Sequence, residues 1–551
     1  MSLWLFIAAE ATFLAVVTYL GWRFRLFEHA EFSVLQQVKL QWWRGPLYCA
    51  VLVLLLRGVL LPTSGIPIAG VHDEYSYLLM ADTFAHFRAT NPTPPQWEHF
   101  ETFHVNVVPT YHSKYQIAQG VTLAVGQLLF RQPWVGVFLS AALMAAAIVW
   151  ALQAFVPNTW AFLGGVLCLL RLCVVGYWVD SYWGGTVAAL GGALALGGAA
   201  RLMQDRAESK LSAGVALGIG LALLATSRPF EGLFFSLSLA VAVLVAMLKK
   251  SANRAYIVRA TGIAVLIVGV SVGAVLYYNY RCTGSPLVLP YSVYEKNYGS
   301  TPLFLWGEPN RVAYRHEVMQ VFYRSWVYSF YTETRTWDGV LSSELFRYVK
   351  LWEFFVGTAL AIPVFVGAVV AATERRFRLV FWCAVATLAA YSLAIFFAAH
   401  YFAPATVVVY GFAVFGLWKM WGSGSRLGRA LAGSLSLVAI IFGISESAIS
   451  PLSEPVKSER PLIQDWVSGV AGKHLLLVRY SRPHEAQHEL VYNGADLPAE
   501  RIIWARSMSN GSDIDLCKAF PGRKFWEVWT DDRAVEVKPS DLCESSGARH
   551  P

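Results

Sequence analysis

The stretch GVHDEYSYLLMADTF, residues 70–84, follows shortly after the apolar run LVLLLRGVLLP at 52–62. It sets two adjacent carboxylates, Asp73 and Glu74, beside a candidate membrane span. Tyr77, Met80, Ala81 and Phe84 recur at i, i+3, i+4 and i+7, so the segment reads as an amphipathic helix lying along the membrane surface. Asp73 falls one turn before Tyr77 on that face. Its structural reading is an N-cap that stabilises the first turn by about 1 kcal/mol. Its functional reading needs other polar groups on the same side of the membrane.

The composition says that there is a membrane. The 551 residues are 56% hydrophobic and 15% charged, with a mean hydropathy of +0.46, against about 25% charged in a soluble domain. The chain therefore reads as a polytopic membrane protein. Its net charge of +8 comes from short basic clusters between apolar runs, which topology explains better than nucleic acid does. Cys49, Cys168, Cys173 and Cys383 lie in apolar segments and behave as small hydrophobes. Cys517 and Cys543 lie in the polar C-terminal region and can pair if it faces an oxidising compartment. The first run, SLWLFIAAEATFLAVVTYLG, has no basic flank or cleavage site and reads as a retained span carrying Glu10.

A spanning helix needs about 20 mainly apolar residues. About twelve segments qualify or nearly qualify, near 3–22, 46–62, 134–154, 159–176, 184–200, 211–226, 231–248, 260–279, 351–371, 380–399, 405–419 and 431–448. The connections alternate in charge. One set carries Arg23, Arg25, Lys39 and Arg44; Arg201, Arg206 and Lys210; Lys249, Lys250, Arg254 and Arg259; Arg375, Arg376 and Arg378; Lys419, Arg426 and Arg429. The intervening short connections, VDSYWGG, SRPF and HYFAP, hold one arginine among them. The positive-inside rule places the basic set in the cytoplasm, and both termini and GVHDEY on the opposite face.

Three large segments share that outer face: 63–133, 280–350 and 449–551. The first contains His72, His86, His99, His104 and His112 with Glu98, Glu101 and Lys114, though no HExxH spacing. With His72 beside Asp73 and Glu74, a divalent cation is conceivable. The second is rich in Tyr, Trp and Arg, including Arg281, Tyr291, Tyr294, Arg311 and Arg315, which suits a substrate-side or headgroup-level loop. The third opens with the linker ISPLSEPVKSERP (449–461). It continues with the strand-like runs KHLLLVRY, HELVYN, RIIWAR and KFWEVWT and a helix near 513–519, which predicts a small α/β domain. The chain thus divides into a first span and cytoplasmic segment (1–45), a membrane domain (46–448) and an extramembrane domain (449–551).

Further ionisable groups gather at the outer junctions. SRPFE supplies Arg228 and Glu231 between two spans, where an ionisable residue marks a functional site. A snorkelling arginine is its plain alternative. HYFAP supplies His400 and Tyr401, and VDSYWGG supplies Asp180 and Tyr182, where interfacial anchoring is an equal alternative.

An acidic pair opening the first outer loop, an interfacial helix and some ten further spans resemble the membrane glycosyltransferases of the GT-C fold. That superfamily includes the protein O-mannosyltransferases and the bacterial aminoarabinose and lipopolysaccharide-core sugar transferases. HDEYSYLLMADTF, SKYQIAQG, DSYWGGTVAALGG, SRPFEG and HYFAP carry the resemblance across about residues 46–420. It implies an all-α bundle in the bacterial inner membrane. It also implies hexosyl or pentosyl transfer, with inversion, from a polyprenyl-phosphate donor to an envelope glycan, lipid or protein on the outer side. Carried onto this chain, Asp73 would be the general base and Glu74 its positioner or an acceptor ligand. Arg228 and Lys114 would hold the departing phosphate. His400, followed by Tyr401, stands where related enzymes present a basic residue at the start of a late span. The first span and the C-terminal domain lie outside this core, and the latter shows no G-x-G-x-x-G and is assigned no nucleotide. Two other readings stand beside this one: a transporter or flippase, and a non-catalytic relative. Against the transporter, no pair of matching interrupted helices marks two halves of the chain.

Overall fold

The computed structural model describes residues 3–29, 41–204, 210–249, 254–449, 458–481, 484–508, 511–530 and 535–543. Most of the expected linker at 449–461, with Lys39, Arg206 and Lys250 of the basic connections, lies outside these residues.

A backbone surrounded by hydrocarbon must satisfy its own N–H and C=O groups, so each apolar run folds as a helix. Among the described residues, six helices are long and apolar enough to cross a bilayer: Arg44–Ser64, Trp134–Leu152, Pro229–Leu248, Arg254–Thr283, Ala399–Gly422 and Arg426–Ser445. The N-terminal run forms Leu3–Arg23. The runs expected at 159–176 and 184–200 form Asn158–Leu172 and Thr186–Leu202, of 15 and 17 residues. These are short for a full crossing of about 20. The run expected at 351–371 is not continuous. Its helix ends at Phe355, the chain passes through Gly357 at φ 65°, and a new helix runs Ala361–Thr373. That helix meets Arg378–Leu393 at 111°. Small residues let the bundle close. Gly367 lies against the backbone of Phe412 and Gly416 against that of Pro363, so two helices touch main chain to main chain where any side chain would collide.

Segment 63–133 is largely ordered structure rather than loop. It holds helices His72–Ala85 and Ile117–Phe130, packed on each other, and the antiparallel pair β1 (Val105–Asn106) and β2 (His112–Ser113). The second helix, apolar overall, has 14 residues, too few for a full crossing. The helix containing Asp73 is also not the half-open surface helix its periodicity suggests. Ser76, Tyr77, Leu79, Met80, Ala81 and Thr83 are all buried, which covers it on several sides.

One of those sides is covered by the C-terminal region. Strands β3 (Lys473–Tyr480), β4 (Ile502–Arg506), β5 (Arg523–Thr530) and β6 (Val535–Pro539) form a sheet in the order β4-β3-β5-β6. β3 runs parallel to β4 and β5, and β6 is antiparallel to β5. Three of the four strand-like runs are therefore strands, and the expected helix is Asp515–Ala519. HELVYN is not a strand: its Glu489 turns inward to Arg506 at 2.6 Å, which takes the segment out of the sheet. Cys517 and Cys543 form a disulfide.

Candidate functional site

The capping question at GVHDEY is settled in favour of Glu74. The helix starts after Val71, and Glu74, in its first turn, reaches back to accept from the amides of Gly70 (2.8 Å) and Val71 (3.0 Å) through Oε2. Its Oε1 accepts from the amide of Tyr182 at 2.9 Å. Glu74 therefore ties the loop before the helix to the VDSYWGG connection. It is 4% exposed, and burial pushes its carboxyl up to about 7 against the pull of these three donors. Both oxygens are occupied. Asp73, freed from capping, is the member of the pair that faces other side chains.

Those side chains arrive from distant parts of the chain. Tyr115 donates its hydroxyl to Asp73 Oδ1. Asp73 Oδ2 lies 3.9 Å from His104 Nε2, beyond hydrogen-bond reach, and is open to a further hydroxyl. His104 is held on both sides. Its amide donates to Tyr294 Oη at 2.7 Å, and its carbonyl accepts from Ser76 Oγ at 2.6 Å. Its φ of 62° lies in the left-handed region, which non-glycine residues enter at a cost of about 1 kcal/mol or more. Tyr77 stacks on Tyr115 with centroids 4.6 Å apart, and Tyr291 lies 6.4 Å from Tyr115.

Across this aromatic layer stands the SRPFE–HYFAP side. The guanidinium of Arg228 lies 4.4 Å over the ring of Tyr401. Tyr77 and Tyr401 each feel the charges of both Asp73 and Arg228, so the acid and the cation share one neighbourhood. The contact with Tyr401 turns Arg228 onto the protein rather than outward to headgroups. His400 is buried, with Nδ1 3.1 Å from Tyr177 Oη and its ring 4.7 Å from Trp183. Lys114 is also present, but already engaged. Glu295 takes its ammonium at 3.1 Å, and the rings of Tyr291 and Tyr294 lie 4.8 and 4.7 Å away.

Other residues singled out in the sequence have structural partners. Asp180 pairs with the buried Arg57 at 2.6 Å, and Tyr182 Oη donates to Pro67 O at 2.8 Å. Of the five histidines of segment 63–133, His72 and His104 lie ring to ring at 5.6 Å, and the others are held apart. His72 bonds Ala486 O at 2.6 Å and stacks on Phe103, His99 bonds Arg506 O at 2.7 Å, His112 bonds Thr110 O at 2.8 Å, and His86 lies by Asp82. Among the described residues no three metal-ligating side chains form a cluster. The donor set at Asp73 fits a proton acceptor better than a cation cage, and no step here runs through a metal. Tyr115, not singled out among the sequence candidates, is the direct partner of Asp73. Its signal in the sequence is its place beside Lys114 in SKYQIAQG, one of the stretches that carry the resemblance.

Burial holds the imidazoles of His72, His104, His112 and His316 below their ordinary 6.5, with His112 at about 4. The unfolded chain binds these protons more tightly, so the stabilisation is complete above pH 6.5 and is lost as pH falls toward the folded values. Glu74 acts oppositely, weakening the fold as pH rises from 4.5 to about 7. Glu500 is raised by burial as well, whereas Glu101 and Glu489 are held low against burial, by His316 and by Arg506, and side with the imidazoles. The melting temperature at pH 5 is expected to lie below that at pH 7, read by scanning fluorimetry; the reverse order would make Glu74 and Glu500 dominant.

No family model matches the sequence, and no curated protein matches it. Solved structures match the fold, among them the three that follow. ArnT from Cupriavidus metallidurans in the apo state gives a TM-score of 0.53 at 13% identity, over 88% of this chain and 93% of that one. The same protein bound to undecaprenyl phosphate gives 0.51, also at 13% identity and over the same shares. The Archaeoglobus fulgidus oligosaccharyltransferase in complex with Zn and sulfate gives 0.50 at 11% identity, over 88% of this chain and 67% of that one. At such identities the likeness is one of fold.

Proposed function

We propose that this chain, a membrane protein with the GT-C fold, transfers a sugar from a polyprenyl-phosphate donor to a hydroxyl of an envelope acceptor, inverting the anomeric carbon. The observation that carries this reading is Asp73, with one carboxylate oxygen held by Tyr115, the other open, and Arg228 across the same aromatic layer. A carboxylate held in one orientation is suited to receive a proton as an oxygen nucleophile forms its bond. In the proposed step the acceptor O–H proton passes to Asp73 Oδ2 and the acceptor oxygen attacks the anomeric carbon. The bond from that carbon to the phosphate oxygen breaks, and the lipid phosphate leaves with the electron pair. Arg228 stabilises the developing charge with paired donors. Glu74 positions Asp73 by fixing the start of its helix. His400 and Tyr401 line the phosphate side, and Lys114 sets the field behind His104. That ArnT has been crystallised with undecaprenyl phosphate supports the choice of lipid.

The charge alternation supports an orientation with this site and both termini outside the cytoplasm of a bacterial cell, in its inner membrane. Reporters fused after residues 62, 254 and 460 are expected to read outside, inside and outside. The chemistry is tested on purified protein in lipid nanodiscs given polyprenyl-phosphate sugars and envelope acceptors. The parent is expected to release polyprenyl phosphate with transfer of the sugar. Arg228→Ala is expected to lower turnover roughly 10²-fold or more. Arg228→Lys is expected to recover part of it, since a point charge replaces a planar fork. Movement of intact donor between leaflets, with no bond cleaved, would replace this reading with that of a flippase.

A further inference from the structure

A second concavity lies in the outer layer beside the Asp73 centre. It is a cleft of about 340 Å³ lined by Trp97, Glu101, Asn106, Tyr298, Tyr314 and Arg315 among others, within the ~300–1,000 Å³ range of small-molecule sites. Its acidic member is fixed. Glu101 Oε2 accepts from Arg315 Nε at 2.9 Å, and Oε1 accepts from Tyr298 Oη at 2.8 Å. Its aromatic members are fixed as well. Tyr314 stacks on Tyr323 at 5.6 Å and donates to Tyr298 O, while Arg315 lies 5.2 Å over Trp97.

Two polar groups are left over. Asn106 is 1% exposed and its Nδ2 donates to Pro290 O, yet its Oδ1 has no hydrogen-bond donor in the structure. A buried acceptor without a donor costs about 1–3 kcal/mol, and this one lies behind the cleft wall. Arg315 uses Nε for Glu101 and is 43% exposed, which leaves the outer prongs of its fork toward solvent.

We infer that this cleft binds a saccharide unit of the acceptor. Sugar hydroxyls accept from the open Arg315 prongs, while the apolar face of a pyranose suits the rings of Trp97 and Tyr314. The place is right for an acceptor rather than a donor. Tyr298 packs on Tyr294 at 4.9 Å, and Tyr294 holds the backbone of His104 beside Asp73, so one aromatic layer separates cleft and base. The assignment of the saccharide as acceptor rests on the transferase reading; its binding does not.

Full-length protein in nanodiscs, applied to an array of bacterial envelope oligosaccharides, tests the cleft without chemistry. The parent and Asp73→Asn are expected to bind the same glycans. Trp97→Ala and Arg315→Gln, at partly exposed positions, are expected to bind them about tenfold more weakly or not at all, with melting temperatures near the parent's. Absence of glycan binding, or binding unchanged in Trp97→Ala and Arg315→Gln, overturns the inference even if sugar transfer is found. Trp97-dependent binding by a protein that transfers nothing upholds the cleft and defeats the transferase reading instead.

Discussion

Asp73→Asn is expected to lower sugar transfer by about 10²–10⁴-fold, the usual worth of a positioned general base, while leaving the melting temperature close to the parent's. The geometry separates these two outcomes. Asp73 spends one oxygen on Tyr115 and none on the helix cap, which Glu74 supplies through the amides of Gly70 and Val71. An asparagine can keep the Tyr115 bond through its carbonyl oxygen but cannot take a proton at neutral pH. Donor binding, measured as retention of polyprenyl phosphate, should persist because Arg228 is untouched. Transfer at the parental rate would remove Asp73 as the base. A collapse of the melting temperature would show that its role is structural.

Arg506→Ala is expected to destabilise the folded chain by about 3–5 kcal/mol, the cost of leaving a buried charge without its partner. Arg506 and Glu489 are 4% and 0% exposed and lie 2.6 Å apart, and Tyr480 also donates to Glu489. This pair holds the 486–495 segment against the Asp73 helix. His72 bonds Ala486 O, Tyr75 stacks on Tyr492 at 4.4 Å, and Asp82 accepts from Ala495 N at 2.7 Å. The loss should therefore appear as a lower melting temperature together with faster amide exchange in residues 72–85. Replacing both Arg506 and Glu489 by apolar residues should recover much of the stability, since neither charge is then stranded. Normal exchange at 72–85 in the single variant would uncouple the C-terminal sheet from the site and make it a mere cap on the bundle.

The sequence made some parts of this arrangement legible and hid others for identifiable reasons. Spans were readable because an apolar run in a membrane has few alternatives to a helix, and HDEYSYLLMADTF was readable as a helix by its period. The exposed face assigned to that helix was wrong. Periodicity reports which residues are apolar, whereas Ser76 is covered by His104 and Ser113, Thr83 by Asn91, and the start of the helix by Ala486, more than 400 residues away. HELVYN looked like a strand because its alternation is local. It left the sheet because Glu489 needed Arg506. The broken span at 351–371 carries its break at a single glycine, which a twenty-residue average smooths over.

By itself, then, the sequence determined that this is a multi-span membrane chain, and its charge alternation set the expectation that the basic connections share one side and the acid pair, the SRPF arginine and the HYFAP histidine the other. Each of these follows from composition or from charge counted along the chain, and needs no contact between distant residues. Only the tertiary structure decided which acid caps and which faces the site. Asp73 and Glu74 are neighbours of the same chemical type, and their roles differ because the amide of Tyr182 arrives at one and the hydroxyl of Tyr115 at the other. The physical reason is that a carboxylate's task is set by the donors that reach it, and those donors come from 42 and 108 residues away.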